Sequence, residues 1–196
     1  MKLLVVNGSP RQGSSTEILA EKVVEGFQSV APDAEVVSVR LNDLDIIPCQ
    51  SCGVSPAPTP CLFRDDLYPW LEQLVSADAI LIASPIFFDS VSAQTKLFID
   101  RTNCLRPPVF TGKGMTFDTA SLPGGRGAYI LVGGERQKTD VAERVIGGMF
   151  VWLGIEKVGK LTYAHSSSRL GAAEAEPEVL EAAFALGSRL ATGATI

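Results

Sequence analysis

Residues 2–16 read "KLLVVNGSPRQGSST". The short apolar run 2–6 stops at Asn7-Gly8-Ser9, as a buried strand stops at a turn. Ser14, Ser15 and Thr16 then stand where a helix would open, and Ile18, Leu19, Val23 and Phe27 share one helical face. A strand passing through a hydroxyl-rich loop into a helix is the first half of a βαβ unit.

The same unit recurs down the chain. Residues 35–41 (EVVSVRL) alternate and read as a second strand. A long proline-rich stretch, about 42–65, separates it from a helix for which Asp65 or Asp66 is the expected cap. Leu67, Trp70, Leu71, Leu74 and Val75 form the apolar stripe of that helix. Residues 79–83 (AILIA) read as a third strand ended by Ser84-Pro85, followed by a helix over about 91–105 that Pro107-Pro108 halts. Segment 106–127 lacks periodicity. A fourth strand at 128–132 breaks at Gly133-Gly134, and a helix over about 139–153 follows, with Val141, Val145, Ile146, Met149, Phe150 and Leu153 on its face. A fifth strand near 155–163 and a last helix from Pro177 to about Leu190 complete the pattern.

Repeated βα alternation implies a parallel sheet covered on both faces. With five strands the expectation is a flavodoxin-like α/β three-layer sandwich, strand order 2-1-3-4-5, formed as one domain over residues 1–196. In such sheets ligands bind beyond the carboxyl ends of the strands, at the switch point between strands 1 and 3. The segments after strands 1, 3 and 4 are therefore the candidate site.

Bulk composition agrees with a globular chain: 46% hydrophobic and 20% charged over 196 residues. Net charge is −5, and no basic stripe marks a nucleic-acid surface. No apolar run approaches the roughly 20 residues that span a bilayer. Residues 1–6 are too short for the core of a secretion signal, so the expected location is cytoplasmic.

The loop after strand 1 has the chemistry of an anion site. Gly8 and Gly13 permit tight turns, Ser9, Ser14, Ser15 and Thr16 supply hydroxyls, and Arg11 supplies a planar cation. A helix N-terminus adds free N–H groups and the positive end of a dipole. Neither G-x-x-x-x-G-K-[ST] nor G-x-G-x-x-G is present, so a terminal monophosphate fits better than a magnesium-bound triphosphate. After strand 3, Pro85, Ile86, Phe87 and Phe88 offer a flat apolar wall. After strand 4, Gly133-Gly134 lets backbone approach a ligand closely.

"GSPRQGSST" at 8–16, "ADAILIASPIFFDSVSAQTKLFIDR" at 77–101 and the cysteine loop between them resemble the NADPH-dependent FMN reductase and iron–sulfur flavoprotein group. The resemblance implies FMN as cofactor and NAD(P)H as co-substrate. It puts Ser9, Arg11, Gly13, Ser14, Ser15 and Thr16 at the FMN phosphate. Pro85, Ile86, Phe87, Phe88 and Asp89 would lie along the flavin ring, with Gly133, Gly134 and Glu135 in a third flavin loop. It also implies a homodimer or homotetramer. The expected function is reduction of flavin or another electron acceptor. The rivals are an electron carrier serving a redox protein partner and a flavin-free binding module.

Residues 49–61 read "CQSCGVSPAPTPC" and hold three of the four cysteines. The iron–sulfur branch of the group carries four cysteines here, and in this chain Ser55 stands at the third position. A [4Fe–4S] cluster needs four thiolates, so Cys49, Cys52 and Cys61 are ligands only if a cluster forms despite Ser55. Helical rise places Cys104 on the order of 20 Å from this loop, which makes it a buried apolar thiol. Asp100-Arg101 reads as a helix-surface or interhelix ion pair, and Glu135-Arg136 as either a solvated pair or a ligand contact; His165 follows strand 5, where a place near a pocket mouth is open to it, but a lone histidine reads as incidental.

Overall fold

The computed structural model describes residues 1–52, 59–106, 108–117, 122, 124–165 and 169–194. The first half runs β1 (Lys2–Asn7), α1 (Ser15–Val30), β2 (Glu35–Arg40), α2 (Tyr68–Val75), β3 (Ala79–Phe87), β4 (Ser90–Val91) and α3 (Ala93–Arg101). The second half runs β5 (Pro108–Thr111), β6 (Gly114–Phe117), β7 (Arg126–Gly134), α4 (Asp140–Leu153), β8 (Glu156–His165) and α5 (Pro177–Thr192). The main sheet has order β2-β1-β3-β7-β8, all parallel, so the five long strands follow the expected flavodoxin-like order. No described helix is long and apolar enough to cross a membrane.

Successive residues of β1 face opposite sides of the sheet. Leu3 and Val5 join a core with Leu19, Val23 and Phe27 of α1 and Leu186 and Leu190 of α5. Leu4 and Val6 join the other core, with Leu71 and Leu74 of α2, Phe98 of α3 and Ile146 and Phe150 of α4. Burial on both faces is why β1 reads as an unbroken apolar run.

Several boundaries differ from the sequence expectation. Ser84-Pro85 does not end the third strand: β3 continues to Phe87, with Pro85 opposite Val132 of β7. The register with β1 ends at Asn7 opposite Ala83, so beyond that point β1 asks no N–H of the proline. Neither Asp65 nor Asp66 caps α2 by its side chain, because both carboxylates serve the loop before it. Val75 and Val141 are exposed, so neither belongs to its helix's core face. α3 stops at Arg101 and continues as a 3-10 turn, Thr102–Leu105; Pro107 lies outside the described residues. Within 106–127, β5 and β6 form an antiparallel hairpin. Its apolar side chains largely face outward, which hides any core periodicity: Phe110 is 77% and Met115 58% exposed.

One buried cation pins the long segment after β2. The Arg101 guanidinium, 1% exposed, donates to Asp65 Oδ2 at 2.5 Å, Asp65 Oδ1 at 3.1 Å and the Ile47 carbonyl at 2.7 Å. The Asp65 carboxylate also accepts the Ile47 N–H at 2.7 Å. The expectation of a surface or interhelix ion pair at Asp100-Arg101 is therefore corrected. Asp100 pairs with Lys96 on the surface, whereas Arg101 is turned into the core. Burial alone would raise the Asp65 carboxyl, but its hydrogen bonds and the guanidinium charge hold it below the usual carboxylate range.

On the opposite face, α1 and α5 meet through glycines. A Cβ on Gly26 would lie 1.9 Å from the Phe184 carbonyl oxygen, and one on Gly187 would lie 1.9 Å from the Val23 carbonyl oxygen. Both obstacles are backbone, so the helices must separate to admit a methyl group. By contrast, a Cβ on Gly147 of α4 meets nothing within 4 Å.

Two outcomes follow for urea denaturation. Gly187→Ala loses about 1–3 kcal/mol through overpacking despite its better helix propensity, whereas Gly147→Ala gains about 0.5–1 kcal/mol. Asp65→Asn loses about 3–5 kcal/mol at neutral pH, since it leaves a buried guanidinium unpaired. The folded-state pKa of Asp65 lies below its ordinary 3.8, so the pair's contribution is complete above that value and fades as pH falls through the folded value. The stability gap between wild type and Asp65→Asn accordingly closes in strong acid.

Candidate functional site

The loop after β1 is drawn tightly onto the start of α3. The Gly8 N–H donates to the Ala83 carbonyl at 2.8 Å, and the Gly8 carbonyl accepts from Ser92 Oγ at 2.7 Å. Ser92 Oγ also lies 2.9 Å from Thr95 Oγ1, which donates to Ser84 Oγ at 3.1 Å. Ser84, Ser92 and Thr95 are fully buried. A Cβ at position 8 would sit 1.8 Å from Thr95 Oγ1, so only glycine fits there.

The loop's hydroxyls have defined partners. Ser14 Oγ accepts the Glu17 N–H at 3.3 Å and caps α1. Ser9 Oγ accepts the Arg11 N–H at 3.2 Å, and the Ser9 N–H reaches Asn7 Oδ1 at 2.9 Å. Ser15 Oγ accepts the Ala173 N–H at 3.1 Å, tying α1 to the segment before α5. Gly13 turns the chain at φ +64°, and its N–H donates to Glu17 Oε2 at 2.5 Å. Glu17 is held in turn by Arg40 at 2.8 Å. The N–H groups of Ser15 and Thr16, in the first turn of α1, have no carbonyl four residues back to bond. Those amides and the exposed Arg11 are the positive end of the site.

The β3–β4 connection is a two-residue turn. Phe87 pairs with Ser90, while Phe88 and Asp89 take left-handed φ values of 51° and 60°. Non-glycine residues there carry strain. Asp89 Oδ1 accepts the Lys138 N–H at 2.8 Å, bracing this turn against the segment after β7. At the end of β7, Gln137 Oε1 accepts the Gly134 N–H at 2.8 Å. A Cβ on Gly133 would lie 2.6 Å from that Gln137 oxygen and 3.3 Å from Ile86.

These elements enclose a cavity of about 620 Å³ beyond the carboxyl ends of β1, β3, β7 and β8. Ser9, Arg11, Ser14, Ser15 and Thr16 line one part, and Pro85, Ile86, Phe87, Gly133, Gly134 and Glu135 another. Three residues expected at the site do not line it. Gly13 shapes the turn into α1, Asp89 braces the loops, and Phe88 projects fully into solvent.

Sequence reasoning missed Pro10, Val132, Gln137 and the wall formed by Arg169, Leu170 and Gly171. His165 lines the cavity, opposite Gly134 in the register of β8 on β7, so the reading that puts it near a pocket mouth fits and the favoured incidental one does not. The usable signal was topological: the end of the fifth strand lies beside the end of the fourth. Arg136 also lines the cavity beside Glu135, a place for a ligand contact.

The cavity suits a flavin mononucleotide in the chemistry of its donors. Helix-end amides and Arg11 fit a phosphate, and Pro85, Ile86, Phe87 and Val132 fit a planar apolar ring. A volume of this size is ordinary for a small-molecule site.

The cysteine loop is arranged differently from the expectation. No described cysteine lines the cavity. Cys49 is half-buried, Cys52 is exposed, and Cys61 is buried in the core. Cys61 Sγ accepts from Arg101 Nη2 at 3.4 Å. Cys104 is not remote from this loop. Its thiol donates to the Arg101 carbonyl at 2.8 Å, on the same residue whose guanidinium donates to Cys61, and the Cys61 sulfur is near enough to act on it. Burial first, and then the neighbouring Cys61 sulfur, push the Cys104 thiol up to about 12. The segment 59–67 folds back over the end of α3 instead of staying beside the ligand edge, which is why the distance argument fails. Ser55 lies outside the described residues. Among the described residues no three Cys, His, Asp or Glu side chains converge on a point that could hold a metal. The thiols as arranged therefore do not fit an iron–sulfur cluster.

Residues 1–169 match the family model of NADPH-dependent FMN reductase. An iron–sulfur flavoprotein of Methanocaldococcus jannaschii is 32% identical over 106 residues, 54% of each chain. The match thus spans about half the length of that relative. A Bacillus subtilis protein named as an NAD(P)H-dependent FMN-containing oxidoreductase is 31% identical over 143 residues, 70% of each chain. The solved structure of a flavone reductase superposes on 98% of this chain and 62% of its own, at TM-score 0.73 and 18% identity, a likeness of fold. The matched span takes in the hydroxyl-rich loop, the β3 turn and β7 together, and the chain belongs to the NADPH-dependent FMN reductase family.

Proposed function

We propose that this chain is an FMN-binding oxidoreductase that passes electrons from NAD(P)H to an acceptor, and that residues 1–196 form one such domain. The observation that carries the reading is a single cavity joining the anion-binding start of α1 to an apolar wall at the β1/β3 switch point. Arg11 and the first-turn amides of α1 bind the phosphate, with the hydroxyls of Ser9, Ser14, Ser15 and Thr16 shaping the loop around it. Pro85, Ile86 and Phe87 support one side of the ring, and Gly133, Gly134 and Glu135 approach its edge. Gly13 and Asp89 hold those loops in place. Phe88, on its strained turn, stands at the mouth, where a co-substrate or acceptor arrives.

FMN, when bound, supplies the hydride acceptance and electron release. The side chains contribute binding and orientation: a fixed cation at the phosphate, an apolar wall that excludes water, and backbone at the ring edge. The assembly proposed is a homodimer or homotetramer, with the outward apolar side chains of the β5–β6 hairpin covered by a second copy.

Titration with FMN, followed by quenching of flavin fluorescence, tests the reading. Wild type binds FMN, and Arg11→Ala weakens binding about 10- to 100-fold by losing a charge-assisted contact. Bound flavin bleaches rapidly on anaerobic addition of NADPH. Absence of FMN binding overturns the proposal, and slow bleaching reassigns the protein as an electron carrier. In sedimentation velocity, the double variant Phe110→Glu, Met115→Glu shifts the assembly toward monomer.

A further inference from the structure

We propose that Cys61 and Cys104 form a dithiol pair, outside the FMN cavity, that hydrogen peroxide converts to an intramolecular disulfide. Both sulfurs contact one residue: Cys61 Sγ lies 3.4 Å from Arg101 Nη2, and Cys104 Sγ 2.8 Å from the Arg101 carbonyl oxygen. Both cysteines are free, and both pack into the core around α3. In the cluster pattern Cys61 would face Cys49 and Cys52. Here Cys61 is buried against Arg101, while Cys52 is exposed and Cys49 half-buried.

The two sulfurs have different surroundings. Cys61 Sγ accepts a hydrogen bond from the Arg101 guanidinium, a permanently charged donor. Cys104 donates to a carbonyl, and burial and the neighbouring Cys61 sulfur outweigh the Arg101 charge, so it keeps its proton. The attacking role goes to Cys61, whose sulfur faces the guanidinium, and the resolving role to Cys104, whose S–H is engaged by a carbonyl.

In the first step Cys61 sulfur attacks hydrogen peroxide. An S–O bond forms, the O–O bond breaks, and the departing oxygen leaves as water with the thiol proton, giving a sulfenic acid. In the second step Cys104 sulfur attacks the sulfenic sulfur. The S–S bond forms, the S–O bond breaks, and hydroxyl leaves as water with the Cys104 proton. The dithiol loses two electrons and the peroxide is reduced to two waters. The disulfide fastens the cysteine loop to the end of α3, and a dithiol reductant reverses it.

Peptide mapping of the full chain tests this directly. Protein reduced and then treated with hydrogen peroxide is alkylated without reduction, digested with trypsin and analysed by mass spectrometry. Cleavage after Arg40, Arg64, Arg101 and Lys113 places Cys61 and Cys104 on separate peptides. The expected product is a cross-link between those peptides, with Cys49 and Cys52 alkylated, that dithiothreitol removes. The cross-link persists in a Cys49→Ser, Cys52→Ser variant and disappears in Cys61→Ser and in Cys104→Ser. The wild-type map needs no variant to fold. Absence of the wild-type cross-link, its assignment to Cys49 or Cys52, or iron and sulfide bound through Cys61 after anaerobic purification overturns the proposal.

Discussion

The site depends on how closely the backbone at Gly8 approaches the first turn of α3. There is no room for a methyl group between Gly8 and Thr95, and the Gly8 carbonyl is fixed by the Ser92 hydroxyl. Ser84, at the point where β3 outruns β1, closes the same network through Thr95 and the Ser92 N–H. Three fully buried hydroxyls thus lock two walls of the cavity, the loop after β1 and the extension of β3, to one helix start. Buried polar groups are costly unless paired, so a fully satisfied network of this kind admits few alternative arrangements. The position of Arg11 and the α1 amides relative to Pro85 and Phe87 follows from it.

Strand order and both helical layers were legible in the sequence because burial on two faces leaves an unambiguous trace. β1, β3 and β7 are apolar runs, and the helices between them carry one-sided stripes. The residues of the loop after β1 were legible because a helix cap needs only one hydroxyl, and four hydroxyls with an arginine exceed it. What stayed hidden was non-local. That β3 passes through Pro85 depends on where β1 stops beside it. That Arg169 reaches the cavity depends on which strand lies next to β7. The hairpin β5–β6 escaped because its apolar residues point outward and mark no core.

Arg101 shows the same limit most clearly. Its place near the end of α3, next to Asp100, reads as a surface pair, because helix geometry says nothing about a chain segment returning from another part of the fold. The segment between β2 and α2 does return, and brings Ile47, Cys61 and Asp65 onto one guanidinium. An arginine can serve three partners at once because its donors are arranged in a fixed plane. The same return buries Cys61 while Cys52 stays exposed and Cys49 half-buried, so a motif that reads as a metal site is divided between surface and core.

That shared guanidinium also sets how this part of the molecule comes apart. A long connection with little regular structure among its described residues would ordinarily fray by itself, on its own timescale. Here Ile47, Cys61 and Asp65 cannot leave without exposing a buried cation, and the end of α3 cannot unwind without losing the partners of that cation. Loop and helix end open as one cooperative unit, with amide protons on both exchanging at a common rate, although they are distant in the chain and belong to different supersecondary units.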